Sequence, residues 1–403
     1  MVTPSKQAPH RRAVGRAVGL LACLLLGASL MTPAVAQTPP LKIGFIGTLS
    51  GPAGALGQDQ YDAFMLAIEQ KGGKLGGMPV QVLREDDQLK PDVAVQATRK
   101  LIERDKVPII TGVTFSNVMM AIHKPITGAG VLLIGSNAGP TPLAGAGCSP
   151  WFFSTSWNND ELHEAGGQLV SDLGYKRTVV MAPNYQAGRD AVAGFKRDYR
   201  GTIVDEVYTQ VNQPDYSAEI TQLQAARPDA VYVFYPGGMG VNFVKQYRQA
   251  GLLGKLPLIS VSTIDGTTLP ALKEIALGAI TAAPYSPDLK NAQNAQFAAA
   301  YAKRYNRQPS LYAAQSYDAA NLLDAALSTV KGNTADRQAL RQALKTARFA
   351  SVRGDFSFDS NQFPRAPFYR VDVVKTSNGA AFESKGAIVA KVRSPLAQQC
   401  KMN

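Results

Sequence analysis

Residues 42–64, KIGFIGTLSGPAGALGQDQYDAF, decide the fold. Ile43–Ile46 is a short apolar run that reads as a buried strand, and it ends in small residues: Thr48, Ser50, Gly51, Gly54 and Gly57. Just beyond them Tyr61, Phe64, Met65 and Ile68 recur at helical spacing, the mark of a core-facing helix. A strand, a glycine-rich loop and a helix in that order let a ligand approach backbone N–H groups at a helix start. The stretch predicts a binding loop, with Ser50 as its candidate contact, and no chemistry yet.

The same alternation of short apolar runs and helical patterns continues downstream, which signals parallel β/α units. Strands are expected at Leu41–Gly47, Val80–Arg84, Ile109–Gly112, Val131–Gly135, Thr178–Ala182, Thr202–Tyr208, Ala230–Tyr235 and Leu258–Val261. Helices are expected between them, at Gln60–Lys71, Pro91–Asp105, Asn117–Thr127, Glu161–Leu173, Gly188–Tyr199, Tyr216–Ala226 and Gly240–Ala250. The rhythm restarts after Trp151, so two similar doubly wound lobes are predicted. Pro/Gly-rich Gly135–Pro150, Ala282–Pro287 and Arg365–Tyr369 mark three crossings between them, a hinge suited to closure around a ligand. Helical patterns at Ala292–Arg304, Leu311–Thr329 and Thr334–Ala347 are expected to return to the first lobe, and strands at Phe368–Lys375 and Gly386–Val392 to the second. The expected lobes are 41–153 with 286–364, and 154–285 with 365–403.

Upstream, residues 1–36 read as a secretory leader. Lys6, Arg11, Arg12 and Arg16 are its charged start, Val18–Met31 its apolar stretch, and Ala34-Val35-Ala36 its cleavage site, so the mature chain is expected to begin at Gln37 in the periplasm. The Arg11-Arg12 pair leaves the general and twin-arginine routes both open, although Ala13-Val14-Gly15 continues the latter poorly. Cys23 raises a lipoprotein reading, against which Leu21 is too large for its place before the cysteine. The formal charge of +12 is partly in that leader, and no run of five or more Lys/Arg occurs, so nucleic acid is not an expected partner. Cys148 and Cys400 follow the leader in loop-like sequence; either they pair and tie the C-terminal tail down, or they are two free thiols.

Catalytic constellations are missing. His123 and His163 have no second His or Cys at ligand spacing, so no metal site is expected. No serine sits in a G-x-S-x-G elbow and neither cysteine has a histidine base. Asp86-Asp87 reads as a solvent-facing or helix-capping pair. Gly51, Gly54 and Gly57 are spaced G-x-x-G-x-x-G, the wrong interval for a dinucleotide turn, so no cofactor is expected.

The run TLSGPAGALGQDQYDAFMLAIEQKGGKLGGMPVQVLREDDQLKPDVAVQATRKLI closely resembles the periplasmic branched-chain amino-acid-binding proteins of ABC importers. The similarity continues through DYSAEITQLQAARPDAVYVFYPGG, KQYRQAGL and PSLYAAQSYDAANLLDAAL, and covers nearly all of residues 41–375. The resemblance implies a type I solute-binding fold, a two-lobed clamshell, monomeric, that hands its ligand to an inner-membrane permease. It implies that one lobe holds a ligand carboxylate at Phe115, Ser116 and Asn117 and at Ser136, Asn137 and Ala138, for which simple helix capping by the two serines is the alternative. The other lobe is implied to close with Tyr185, Tyr235, Gly237 and Asp265, with Trp157 stacking on the ligand or packing the hinge.

Amino-acid binders of this family present an acid to the ligand ammonium from the loop after Leu258–Val261. Here Asp265 is the only acid nearby, within VSTIDGTTLP, and it is offset by a few positions. A buried ammonium without a secure partner is costly, and SNAGPTPLAG and CSPWFFSTSWNND look more like the branch that binds aromatic or other organic carboxylates. Leucine-like amino acids, amides, and a sensory receptor on the same fold remain the alternatives.

Overall fold

The computed structural model describes residues 39–389 and 394–402. The expected leader, with its cleavage site, Arg11-Arg12 and Cys23, lies outside the described residues, as do the last positions of the strand expected to end at Val392.

Apolar runs form strands here because helices cover both faces of each sheet, so near-continuous burial replaces alternation. The first half runs β1 (Leu41–Gly47), α1 (Gly54–Gln70), β2 (Lys74–Leu75), β3 (Met78–Asp86), α2 (Pro91–Arg99), β4 (Ile109–Gly112), α3 (Ser116–Gly128), β5 (Leu132–Gly135), α4 (Thr141–Ala144) and β6 (Phe152–Ser154). Its sheet has the order β2-β3-β1-β4-β5-β6 and is parallel except at the β2–β3 hairpin. The second half repeats the plan with α5 (Asn159–Asp172), β7 (Arg177–Pro183), α6 (Gln186–Asp198), β8 (Thr202–Thr209), α7 (Ser217–Ala226), β9 (Ala230–Val233), α8 (Gly238–Gln249), β10 (Leu258–Ser260), α9 (Leu269–Leu272) and β11 (Ile280–Ala283).

The chain then makes α10 (Ala292–Tyr305), α11 (Leu311–Thr329) and α12 (Arg337–Thr346), followed by β12 (Ser357–Phe358), β13 (Pro364–Arg365), β14 (Phe368–Thr376) and β15 (Gly379–Val389). Ala319, Leu322, Leu323 and Leu327 of α11 share a buried cluster with Ile43, Phe45 and Phe64, so this helix belongs to the first sheet. β14 and β15 add antiparallel to the second sheet, β15-β14-β11-β10-β9-β7-β8. In each sheet the opening strand lies inside the series, β1 between β3 and β4 and β7 between β8 and β9. Winding reverses there, and a reversal opens a crevice beyond the carboxyl ends of the strands. The expected two doubly wound sheets are what forms.

Some boundaries differ from the sequence reading. Gly135–Pro150 is not the first crossing: Phe152–Ser154 adds a sixth strand to the first sheet, and the chain leaves only after it. Ile280–Ala283 is a strand of the second sheet rather than the start of a crossing. The tail does not end with the second lobe. Cys400 is disulfide-bonded to Cys148, with Cα atoms 5.6 Å apart, and Leu396 and Gln399 stand against Gly145. Asp86-Asp87 caps no helix and only Asp86 keeps a face to solvent: Asp87 is fully buried and accepts from Thr48 Oγ1 at 2.6 Å, while half-buried Asp86 accepts from Leu49 N at 2.9 Å. Together they pin the loop between β1 and α1.

The hinge is fastened by one buried ion pair. Arg353 Nε lies 2.9 Å from Asp318 Oδ2 of α11, and the guanidinium also donates to the carbonyls of Thr155 and Ser156 in the first crossing.

Candidate functional site

The carboxyl ends of both sheets face one another across a narrow cavity of about 30 Å³. The first lobe contributes Leu56 from α1, Thr114, Phe115 and Ser116 after β4, Asn137 and Ala138 after β5, and Tyr312 from α11. The second contributes Asn159, Leu162 and His163 from α5, Tyr185 and Ala187 after β7, Phe234 and Pro236 after β9, and Ser262 after β10. Trp157, from the first crossing, completes the wall.

Direct bonds join the lobes around this cavity. Gly238 N donates to Pro52 O at 3.1 Å, Asn159 N to Gly139 O at 2.8 Å, and Asn159 Nδ2 to Ser116 Oγ at 3.1 Å. Gly237 takes φ of 66°, and a Cβ there would press on Leu56, so glycine lets the loop after β9 meet α1. Phe115 and Tyr185 face each other across the cleft with ring centroids 6.1 Å apart, and Tyr185 stacks on Phe234 at 6.4 Å. The clamshell is closed.

Among the described residues no Asp, Glu, Lys or Arg lines the cavity. Its one titratable base, His163, is buried, and desolvation pulls its pKa down to about 3, leaving a neutral imidazole. Asp190, behind the lining residue Asn159, is already engaged by Asn159 Nδ2 at 2.8 Å and Gln186 Nε2 at 2.8 Å. What the cavity offers instead is helix ends. α3 and α6 begin at it with no side-chain cap on the first turn, whereas the first N–H groups of α5 and α8, on Asn159 and Gly238, are taken by Gly139 O and Pro52 O across the cleft. The first N–H groups of a helix have no intrahelical partner and carry the positive end of its dipole. Converging on a space walled by Phe115, Trp157, Tyr185 and Phe234, they suit a small anion with a flat apolar body.

The expected site residues divide. Phe115, Ser116, Asn137, Ala138, Trp157 and Tyr185 meet in the cavity. Asn137 Nδ2 donates to Thr114 O at 2.6 Å, which fixes the loop and leaves Oδ1 without a partner. Asn117 sits on the first turn of α3 but does not line the cavity. Ser136 is a scaffold residue, fully buried and accepting from Gln60 Nε2 at 2.9 Å. Ser50 is exposed, outside the cavity and beside Asp86, so the loop of residues 48–57 lines the site through Leu56 alone and otherwise serves as the latch to Gly238.

Tyr235 turns away from the cavity: it packs between Tyr216 and Phe243, each with ring centroids 5.1 Å distant, while its neighbour Phe234 faces the site. Asp265 is also outside the lining. Its Oδ1 accepts from Thr267 N at 2.7 Å and Thr267 Oγ1 at 2.6 Å, its Oδ2 makes no hydrogen bond, and burial raises its pKa to about 6. It stands behind Tyr312, which separates it from the main cavity.

Several lining residues carried no recognisable sequence signal. Tyr312 comes from a helix of the first lobe that the chain reaches only after building the second, and Asn159 and His163 sit on a helix whose pattern reads as ordinary. His123 is buried edge-on against Phe152 at 5.2 Å, away from the site. Among the described residues no group of three or more His, Cys, Asp or Glu could hold a metal ion, and no helix is long and apolar enough to cross a membrane.

Comparison with known proteins agrees with this geometry. A family model described as "Periplasmic binding protein" matches residues 40–380. The Leu/Ile/Val-binding protein homolog 6 of Brucella melitensis is 23% identical over 375 residues, 91% of this chain and 95% of the relative. An ABC-transporter solute-binding protein of R. palustris, solved in complex with benzoate, is 30% identical, with a TM-score of 0.86 over 90% of this chain and 100% of that one. A second, from Rhodopseudomonas palustris BisB5 in complex with 3,4-dihydroxybenzoic acid, is 29% identical, with a TM-score of 0.83 over 88% and 99%. The chain belongs to the periplasmic binding protein family, as an ABC-transporter solute-binding protein of the leucine/isoleucine/valine-binding type with the type I fold.

Proposed function

We propose that this protein captures a small aromatic or other organic carboxylate between its lobes, 41–153 with 286–364 and 154–285 with 365–389, and delivers it to an inner-membrane ABC permease. Exported to the periplasm with residues 1–36 removed, it works as a monomeric receptor and not as an enzyme. The observation that carries the ligand class is a cavity without a charged side chain on which the uncapped N-termini of α3 and α6 and four aromatic rings converge. Ser116 and the first N–H groups of α3 receive the carboxylate, Asn137 supports them, and Trp157, Tyr185, Phe115 and Phe234 sandwich the apolar body. An affinity of about 1 µM, roughly −8 kcal/mol, is within reach of such contacts.

A branched-chain amino acid is the second reading, favoured by the Leu/Ile/Val-binding relatives and by the unpartnered Oδ2 of Asp265. It requires Tyr312 to swing aside so that Asp265 can meet an ammonium. A thermal-shift panel on the chain from Gln37 separates the two, since a ligand bound only by the native state raises the melting temperature. Benzoate-type and cinnamate-type acids are expected to stabilise the protein. Stabilisation by leucine or valine alone would overturn the carboxylate reading in favour of the second.

A further inference from the structure

α5 presents two side chains to the cavity one turn apart, Asn159 and His163. Asn159 reaches the Ser116 hydroxyl, at the end of the cavity assigned above to the carboxylate. Residues four apart on a helix stand one above the other, about 6 Å along its axis. That separation matches the span from a carboxylate, across one benzene ring, to a substituent in the para position.

His163 is held at that far end. Its Nδ1 lies 2.6 Å from the Tyr232 hydroxyl, and its ring packs edge-on against Phe234 at 4.9 Å. Gly166 makes room for the arrangement, because any side chain there would collide with the Tyr232 hydroxyl. Among the described residues Nε2 has no hydrogen-bond partner, while the ring lines the cavity. A neutral imidazole has one donor nitrogen and one acceptor, and which is which depends on whether Tyr232 donates or accepts. A hydroxyl satisfies Nε2 in either case, since it both donates and accepts. A carboxylate suits only one tautomer, and a methyl group suits neither.

We propose that His163 is a specificity-determining residue for hydroxylated aromatic acids, its Nε2 hydrogen-bonding a ring hydroxyl para to the carboxylate while Tyr232 fixes the imidazole from behind. The proposal rests on the aromatic-acid reading above. Sites built to hydrogen-bond a hydroxyl reject analogues that lack it, because the buried polar group is left unpaired.

Isothermal titration of the chain from Gln37 with 4-hydroxybenzoate, 3-hydroxybenzoate, 4-methylbenzoate and benzoate tests it. The wild type is expected to bind 4-hydroxybenzoate at least about tenfold more tightly than 4-methylbenzoate or the 3-hydroxy isomer. In His163→Leu the ratio between 4-hydroxybenzoate and 4-methylbenzoate falls to within about threefold, whereas His163→Gln, which keeps a donor and an acceptor, retains more of it. Tyr232→Phe, which frees the imidazole without removing it, lowers the ratio part of the way. A wild type that binds these acids without preferring the 4-hydroxyl overturns the role of His163 and leaves the aromatic-acid reading intact, even if His163→Leu does not fold. Equal losses for both ligands in His163→Leu do the same. Failure of all four acids to bind overturns both.

Discussion

Phe234 and Tyr235 are adjacent and have opposite tasks, one facing the ligand cavity and the other filling the core of the second lobe. Phe234→Ala is therefore expected to weaken ligand binding about tenfold or more with a modest effect on folding, while Tyr235→Ala costs about 3–5 kcal/mol of stability in denaturant melts. Glu161 gives a second test at this scale. It is 3% exposed, and burial, only partly offset by Asn158, lifts its pKa to about 8. The folded state thus favours the protonated acid: the penalty is absent below about pH 4.5 and grows as pH rises toward 8. Glu161→Gln is expected to raise the melting temperature at pH 8.5, by on the order of 3 kcal/mol in stability, and to leave it nearly unchanged at pH 4. His163 has the opposite sign. Its depressed pKa means that stability is lost as pH falls below about 6.5 toward 3. Phe115, Ser116, Asn137 and Ala138, which the family resemblance implied from the loops after β4 and β5, do meet in the cavity, whereas Ser136, directly after β5, does not. Site residues were not legible where side-chain direction decides: Tyr235 and Phe234 exchange roles through a single step of strand alternation.

At the scale of elements, β1 is found at Leu41–Gly47 as the apolar run predicts, and most helices start within a few residues of the expected point. The misses are short or irregular. β6 has three residues, too few for a period to show, and the helix expected over Pro91–Asp105 changes after Arg99 into a π turn over Lys100–Arg104 that no local residue announces. The hinge was legible as a place but not as a mechanism, because the Arg353–Asp318 pair joins residues from α11 and a late loop to the carbonyls of Thr155 and Ser156. Both side chains are almost completely buried, at 2% and 0% exposure, so removing one strands the other without water. Arg353→Ala is expected to destabilise the protein by about 3–5 kcal/mol in chemical denaturation, and Arg353→Met with Asp318→Leu together by less.

Across the whole molecule, two repeats of one winding order turn their crevices toward each other, and bonds such as Gly238 N to Pro52 O hold the closed form. This architecture was legible from the alternation of strands and helices, whereas the route of the tail was not, since spacing does not reveal the pairing of two cysteines. The Cys148–Cys400 bond spans 252 residues, and changing both to serine is expected to lower stability by about 2–5 kcal/mol, read as a lower midpoint in urea. On the proposed reading, helix ends and no charged side chain hold an anionic aromatic ligand. Titration calorimetry of the chain from Gln37 with benzoate, its neutral isostere benzamide, and leucine tests it most directly. The account predicts micromolar binding of benzoate, at least about a hundredfold weaker binding of benzamide, and none of leucine. Micromolar binding of leucine with silence from benzoate, or equal binding of benzoate and benzamide, would contradict it.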